Sequence, residues 1–229
     1  MAYHFGTAAS SGDVIDCGTT PSKASTWSLQ WLGALANASD TPRLLVGYRS
    51  SSAFLCQLFA GGVGSGNNNQ ITASFSKNGF TAFPFARYTT GISAATVHSL
   101  VATYDGANIQ IYLDTNASAV ATQAETGTPD QDAGQHFYIG NRELLDQAAE
   151  GNAYAVGYWP GVVLTGAQAA FLGAGYDAAY LFAPYHWRLG TNANARRGGA
   201  HGTVTGAFVV SHAANMPIIY PPEGLGLAS

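Results

Sequence analysis

Apolar and polar positions alternate with a period of two along most of this chain. Trp27, Leu29 and Trp31 alternate with Ser28 and Gln30, the pattern of a strand with one buried face. Ile71, Ala73 and Phe75 repeat it within Gln70–Ser76, and Tyr3–Phe5, Val14–Cys17, Arg43–Tyr48 and His136–Ile139 are shorter strand-like runs. Ala53–Phe59 is more continuously apolar, which predicts a strand covered on both faces. Phe80–Phe85 is interrupted by Pro84, which predicts an edge strand or a bulge. The clearest unit is Val97–Tyr104 and Asn108–Leu113, joined around Asp105-Gly106. There Ile109, Ile111 and Leu113 alternate with Gln110 and Tyr112, and Asp-Gly predicts a hairpin because glycine takes the positive φ of the turn. Ala117–Gln123 and Ala153–Leu164 add strands, the latter bent by Pro160-Gly161.

Between these runs lie turn residues. Gly61–Asn69 is nearly all Gly, Ser and Asn and predicts an exposed loop, and Gly127–Gly134 predicts a polar turn. One short helix is predicted at Thr165–Leu172, with Thr165 as cap, Gln168 completing a capping box and Gly173 ending it. After Leu181 the character changes. Phe182–Ser229 holds Pro184, Pro217, Pro221 and Pro222, a Gly/Asn/Arg loop at Gly190–Gly202 and one strand-like run, Thr203–Val210. Too few apolar positions remain there for a second core. The expected organisation is a sandwich over 1–181 and a C-terminal extension over 182–229. Many short strands and one late helix predict an all-β antiparallel sandwich of jelly-roll topology, with an up-and-down barrel as the competitor.

Composition narrows the function. The chain is 47% apolar but only 10% charged, against about 25% in an average soluble domain. Such a chain buries a sizeable core and leaves a neutral surface. That surface suits a protein lying against other protein, or an ordinary extracellular-type β-domain; composition does not separate the two. The net charge of −4, with Arg196-Arg197 the one basic run, argues against a nucleic-acid partner. No apolar stretch approaches the roughly 20 residues of a membrane helix. Met1–Phe5 enters a strand pattern without a basic start or apolar segment, so no signal peptide is expected and synthesis in the host cytoplasm is. Cys17 and Cys56 read as two buried thiols, or as a disulfide if their strands are neighbours.

The order of segments resembles a known family. His98-Ser99-Leu100-Val101-Ala102-Thr103-Tyr104-Asp105-Gly106 followed by Ile109–Asp114 resembles the central hairpin of laminin G-like and pentraxin-like domains, within the concanavalin A-like lectin/glucanase fold. Phe137-Tyr138-Ile139-Gly140, Gly161-Val162-Val163 with the helix Leu164–Leu172, and the opening Tyr3–Gly6 and Val14–Gly18 resemble further pieces of it. The resemblance covers 1–181 and implies two packed antiparallel sheets. Asp114-Thr115-Asn116 departs from the family's Asp-Gly, so that turn must differ. More loosely, a domain of this kind with a polar tail is similar to structural proteins of tailed bacteriophages.

Because the fold includes glycoside hydrolases, a pair of carboxylates is the chemistry to look for. Glu125, Glu143, Glu150 and Glu223 all fall in turn-like segments, and Asp130 and Asp132 lie between Pro129 and Gly134 in a turn. No Gly-x-Ser-x-Gly elbow, phosphate loop or dinucleotide fingerprint is present. Catalytic and metal residues are therefore not assigned. Calcium is implied by the resemblance, with Asp13, Asp16, Asp105 and Asp114 available, but no loop concentrates acids enough to place a site.

Candidate contact residues remain. Tyr158 and Trp159 are expected as exposed contacts to glycan or protein, while Trp27 and Trp31 read as core. Tyr185, Trp187, Arg188, Arg196 and Arg197 are expected as partner-binding residues, since Trp, Tyr and Arg are the usual interface anchors. The tail either docks on a neighbour or folds back as an extra strand of its own domain. The first expectation is a non-enzymatic bacteriophage virion structural protein, a capsid decoration or cement protein located in the virion, self-associating, with a tail or fibre component next. The alternative is a carbohydrate-binding lectin-like module or host-surface adhesin with a glycan partner.

Overall fold

A computed structural model describes residues 2–5, 12–36, 42–61, 70–189, 195–197 and 201–210, with side chains for all of these except 2, 195–197 and 208–210. In chain order the strands are β1 (Ala2–Phe5), β2 (Val14–Asp16), β3 (Trp27–Leu35), β4 (Arg43–Arg49), β5 (Phe54–Ala60), β6 (Ile71–Ser74), β7 (Phe85–Tyr88), β8 (Val97–Tyr104), β9 (Asn108–Leu113), β10 (Ala121–Ala124), β11 (His136–Ile139) and β12 (Gly151–Pro160). Then come helix α1 (Gly166–Gly173), a 3₁₀ turn at Ala178–Leu181, and strands β13 (Tyr185–Arg188), β14 (Ala195–Arg197), β15 (Thr203–Thr205) and β16 (Phe208–Val210).

The strands form two antiparallel sheets packed as a jelly-roll sandwich. The first runs β10-β9-β8-β3-β12-β1-β16, with β13 also on β12 and β14 on β13. The second runs β15-β2-β11-β4-β5-β6-β7. Neighbours distant in sequence, such as β3 beside β8 and β12, exclude the up-and-down barrel. The hairpin β8–β9 pairs Tyr104 with Ile109. Gly106 takes φ +94°, and Asp105 accepts the N–H groups of Ala107 and Asn108 at 2.8 and 2.6 Å. Burial works to raise the Asp105 pKa, but these bonds outweigh it and hold the carboxyl below its usual value.

Between the sheets the alternating positions meet in one core that includes Trp27, Leu29, Trp31, Tyr48, Leu58, Phe75, Phe137, Tyr158 and Trp187. Phe137 stacks on Trp187 with centroids 4.8 Å apart. Two core tyrosines find acceptors for their hydroxyls: Tyr48 donates to the Thr19 and Pro21 carbonyls and Tyr158 to that of Ser22. Cys17 and Cys56 are both free and buried in this core, and burial pushes both thiols up.

The outer face of the first sheet carries a second core. Val101, Tyr112 and Trp159 point outward and are sealed by Leu164, Ala169, Leu172, Ala178 and Ala183 from α1 and its flanks. Ser28 on β3 donates to the Val162 carbonyl and accepts the Leu164 N–H, both at 2.9 Å. The capping box is formed, with the Thr165 hydroxyl accepting from Gln168 N–H and the Gln168 side chain from Thr165 N–H. Every position of β3 is buried, although its alternation predicts one wet face. Ser28 is polar yet covered by the Val162–Leu164 segment it bonds to, and Leu32 and Ala34 pack with Tyr154 and Ala155.

Other boundaries differ for physical reasons. Phe80–Phe85 is not a strand: residues 78–81 make a turn closed by the bridge Lys77–Ala82, and pairing begins at Phe85, after Pro84, which has no N–H to offer. The strand that results, β7, is at the sheet edge, as a proline-flanked strand must be. Ala117–Gln123 contracts to β10. The run Thr203–Val210 breaks at Gly206, φ +70°, into β15 on the second sheet and β16 on the first. Within the expected loop Gly190–Gly202, residues 195–197 pair with β13. The described part of the tail thus adds strands to both sheets of its own chain.

Candidate functional site

Among the described residues, no such lid covers the outer face of the second sheet over β4–β7. Two adjoining clefts lie there, of about 260 and 430 Å³. Both are lined by Phe54, Gln57, Phe59 and Phe83; the first continues to Arg49, Phe80, Arg142 and Gln147, the second to Thr72, Ser74, Phe85 and Arg87. Small-molecule sites occupy roughly 300–1,000 Å³, so the pair forms one groove of suitable size.

Period-two geometry builds its floor. On β6, Ile71 and Ala73 enter the core while Thr72 and Ser74 face the groove; on β7, Ala86 goes in and Phe85 and Arg87 go out. On β5, Gln57 and Phe59 share the outer face, and a register shift beside Tyr48/Arg49 brings Phe54 to it. Gly47 lies opposite Gln57, and a Cβ there would meet the Gln57 Cβ at 2.9 Å. Glycine is what lets the Gln57 side chain lie across β4.

The rim comes from two loops. Asn78, Gly79 and Phe80 all have positive φ (60°, 66° and 66°). The Asp130 carboxylate accepts the N–H groups of Gly79 and Phe80 at 3.0 and 2.8 Å, and so holds a turn that non-glycine residues would avoid. This turn delivers Phe80 onto Phe83 (4.9 Å, edge-on) and Phe54 (5.8 Å, edge-on), while Phe83 stacks on Phe54 at 5.6 Å and 16°. Opposite, Arg142 is clamped to Asp146, and Arg142's hydrogen bond holds the Asp146 carboxyl below its usual pKa. Arg49 is a positioning group. It bonds Glu143 Oε2 and Gln57 Oε1, each at 2.9 Å. Burial pulls its pKa down and Glu143 opposes that. Gln57 in turn donates to Ser74 at 2.9 Å.

Phe83 and Phe85 are 46% and 45% exposed. Two half-exposed phenyl rings beside fixed hydroxyl, amide and guanidinium groups suit a small ring with one apolar face and hydrogen-bonding edges. Sequence reading missed these residues because they come from separated segments. The available signal was Phe83-Pro84-Phe85, two phenylalanines either side of the proline that precedes β7.

The contact residues expected from sequence lie elsewhere. Tyr158 and Trp159 are 0% and 1% exposed, not exposed contacts: Tyr158 is in the inter-sheet core, and Trp159 is under α1, donating Nε1–H to the Leu181 carbonyl at 3.0 Å. Trp187 is fully buried against Phe137. Tyr185 is half-buried, its hydroxyl accepting from Ser22 N–H at 3.0 Å. Arg188 is bound to the buried Asp177 at 2.7 Å. These residues do not gather into an open patch, because Tyr185–Arg188 is strand β13, paired with β12 in the first sheet. The side chains of Arg196 and Arg197 lie outside the described residues.

Glu223 lies outside the described residues; the other glutamates, and Asp130 and Asp132, have structural partners. Glu125 binds Lys77, Glu143 binds Arg49 and Glu150 binds Arg43. Asp130 holds the 78–81 turn, and Asp132 accepts from Ser50 at 2.8 Å. Among the described residues no three His, Cys, Asp or Glu side chains gather as metal ligands. One arrangement not legible in sequence is a line of Ser93 Oγ, His98 Nε2 (3.0 Å), His98 Nδ1 and Asp114 Oδ2 (2.9 Å). Asp114, at φ +52°, also accepts Ser99 N–H at 2.9 Å, so the line pins the start of β8 to the end of β9. The Ala95 N–H, two residues after Ser93, is spent on the Leu35 carbonyl and does not supply an oxyanion donor.

No protein-family model matches the sequence, and no curated protein matches it. Solved structures do match the fold. A candidate carbohydrate-binding protein from Bacteroides ovatus superposes with a TM-score of 0.70 at 18% identity over 95% of this chain, which spans 61% of the length of that one. The CBM40 of Ruminococcus gnavus IT-sialidase, bound to α2,3-sialyllactose, gives 0.55 at 9% identity, covering 76% of this chain and 95% of that one. A heptameric SAP-like pentraxin from Limulus polyphemus gives 0.55 at 11% identity, covering 75% and 81%. At these identities the likeness is one of fold, a lectin-like jelly roll.

Proposed function

We propose that this chain is a non-catalytic, lectin-like carbohydrate-binding module that receives a glycan in the groove on the outer face of β4–β7. The observation that carries the reading is the pair of exposed rings, Phe83 and Phe85, set beside Gln57, Ser74 and Arg87 on a sheet face left open. The C–H face of a sugar ring carries partial positive charge and lies well on the negative face of a phenyl ring. Hydroxyls at the ring edge take the amide and guanidinium donors. Sialyllactose in the similarly folded module adds support at the level of fold.

The non-catalytic part is supported by the described glutamates, Glu125, Glu143 and Glu150, each of which is paired with a lysine or arginine. The virion decoration reading keeps its compositional argument, but no particular contact favours it. A glycan array followed by titration tests the groove: binding is expected, and Phe83→Ala is expected to lower affinity about tenfold, the loss of one good apolar contact. Equal affinity of Phe83→Ala and the parent would move the site elsewhere. Release of sugar during prolonged incubation would overturn the non-catalytic reading.

A further inference from the structure

Charge pairing singles out one arginine. Five arginines have described side chains, and four are held by a carboxylate: Arg43 by Glu150, Arg49 by Glu143, Arg142 by Asp146 and Arg188 by Asp177. Arg87 has no ion pair among the described residues. It donates Nε–H to the Thr72 hydroxyl at 3.3 Å, and its guanidinium carbon lies 4.7 Å from the centroid of the Phe85 ring. Thr72 and Phe85 both line the same cleft.

These two contacts orient the group without neutralising it. The ring fixes the guanidinium plane and the threonine takes one of its five N–H donors. The two terminal NH₂ groups keep the fork geometry that matches a planar carboxylate or a sulfate bidentately. Arg87 is only partly buried, so water solvates the guanidinium until an anion replaces it, and the group is accessible to a ligand in the cleft.

We infer that the glycan bound in this groove is acidic, carrying a carboxylate or sulfate that pairs with Arg87 while Phe83 and Phe85 take the apolar face of a sugar ring. The inference rests on the groove being a glycan site. It makes Arg87 the specificity-determining residue and divides the roles: charge from β7, stacking from the rings, and Arg49 and Gln57 as supports.

The test is a glycan array holding neutral, carboxylated and sulfated glycans, followed by titration of the best ligands against the parent protein and Arg87→Gln, Arg87→Lys and Phe83→Ala. Thermal unfolding of each variant checks folding. Acidic glycans are expected to bind and to lose about 10- to 100-fold in affinity in Arg87→Gln, the size of one charge-assisted bidentate contact. Arg87→Lys should restore part of it, and added salt should weaken the parent's binding. A sulfate-bearing ligand and its carboxylate-bearing counterpart, compared on one sugar core, decide between the two anions. Neutral glycans that bind the parent and Arg87→Gln equally, but lose affinity in Phe83→Ala, would overturn the inference and leave the groove reading standing. No binding to any glycan would overturn both.

Discussion

The outer faces of the two sheets carry similar residues and come to opposite ends. On the first sheet, Tyr112 and Trp159 point away from the sandwich and are covered by α1 and the 3₁₀ turn. On the second, Phe83 and Phe85 also point away, and they remain half-exposed. An aromatic residue at an outward position thus says little by itself. What decides its role is whether a later stretch of chain returns to cover it, and residues 161–183 return to one sheet. The covered face contributes stability, and the open one is left available for a ligand.

This contrast can be broken or sharpened by substitution. The largest effect is expected at Trp159→Ala, which empties the space under α1 and frees the Leu181 carbonyl. It should cost about 3–5 kcal/mol in denaturant unfolding; a loss below 1 kcal/mol would show that the lid does not seal the face. Gly47→Ala should come next, at about 1–3 kcal/mol, because the new Cβ meets Gln57 Cβ at 2.9 Å. It should also weaken glycan binding by displacing Gln57, whereas Trp159→Ala in its folded fraction should not. Thr165→Ala removes the cap of α1 and should cost about 1 kcal/mol, read as a lowered midpoint. Phe83→Ala should cost about 1 kcal/mol, from its ring contacts with Phe54 and Phe80, while giving the binding loss described above. If Phe83→Ala destabilised as Trp159→Ala does, the two faces would not differ in kind.

Much of the architecture was legible in local pattern. The hairpin β8–β9 and the capped helix follow from Asp105-Gly106 and from Thr165 with Gln168, signals that act over three or four residues. The edge position of β7 follows from Pro84. Assigning roles to aromatics was where the pattern failed. Trp159 and Trp187 sit in short motifs that look like surface anchors, yet one lies under a helix that begins seven residues later and the other faces Phe137, fifty residues away in sequence. The groove was invisible for the same reason. Phe54 and Gln57 lie on β5, Phe83 before β7 and Arg87 on it, and Phe80 reaches the rim because Asp130, distant in sequence, holds its turn.

Sequence alone determined that this chain alternates, that it turns where Gly, Pro and Asp-Gly allow, and that it makes an antiparallel β-sandwich with one late helix. Those outcomes follow from side-chain period and from backbone torsions, which neighbouring residues set. Tertiary structure alone decided which sheet face was covered, which four arginines found carboxylates, and that Arg87 joined Phe83 and Phe85 in an open groove. Those outcomes follow from long-range strand order, which places residues far apart in the chain within a few ångströms of one another.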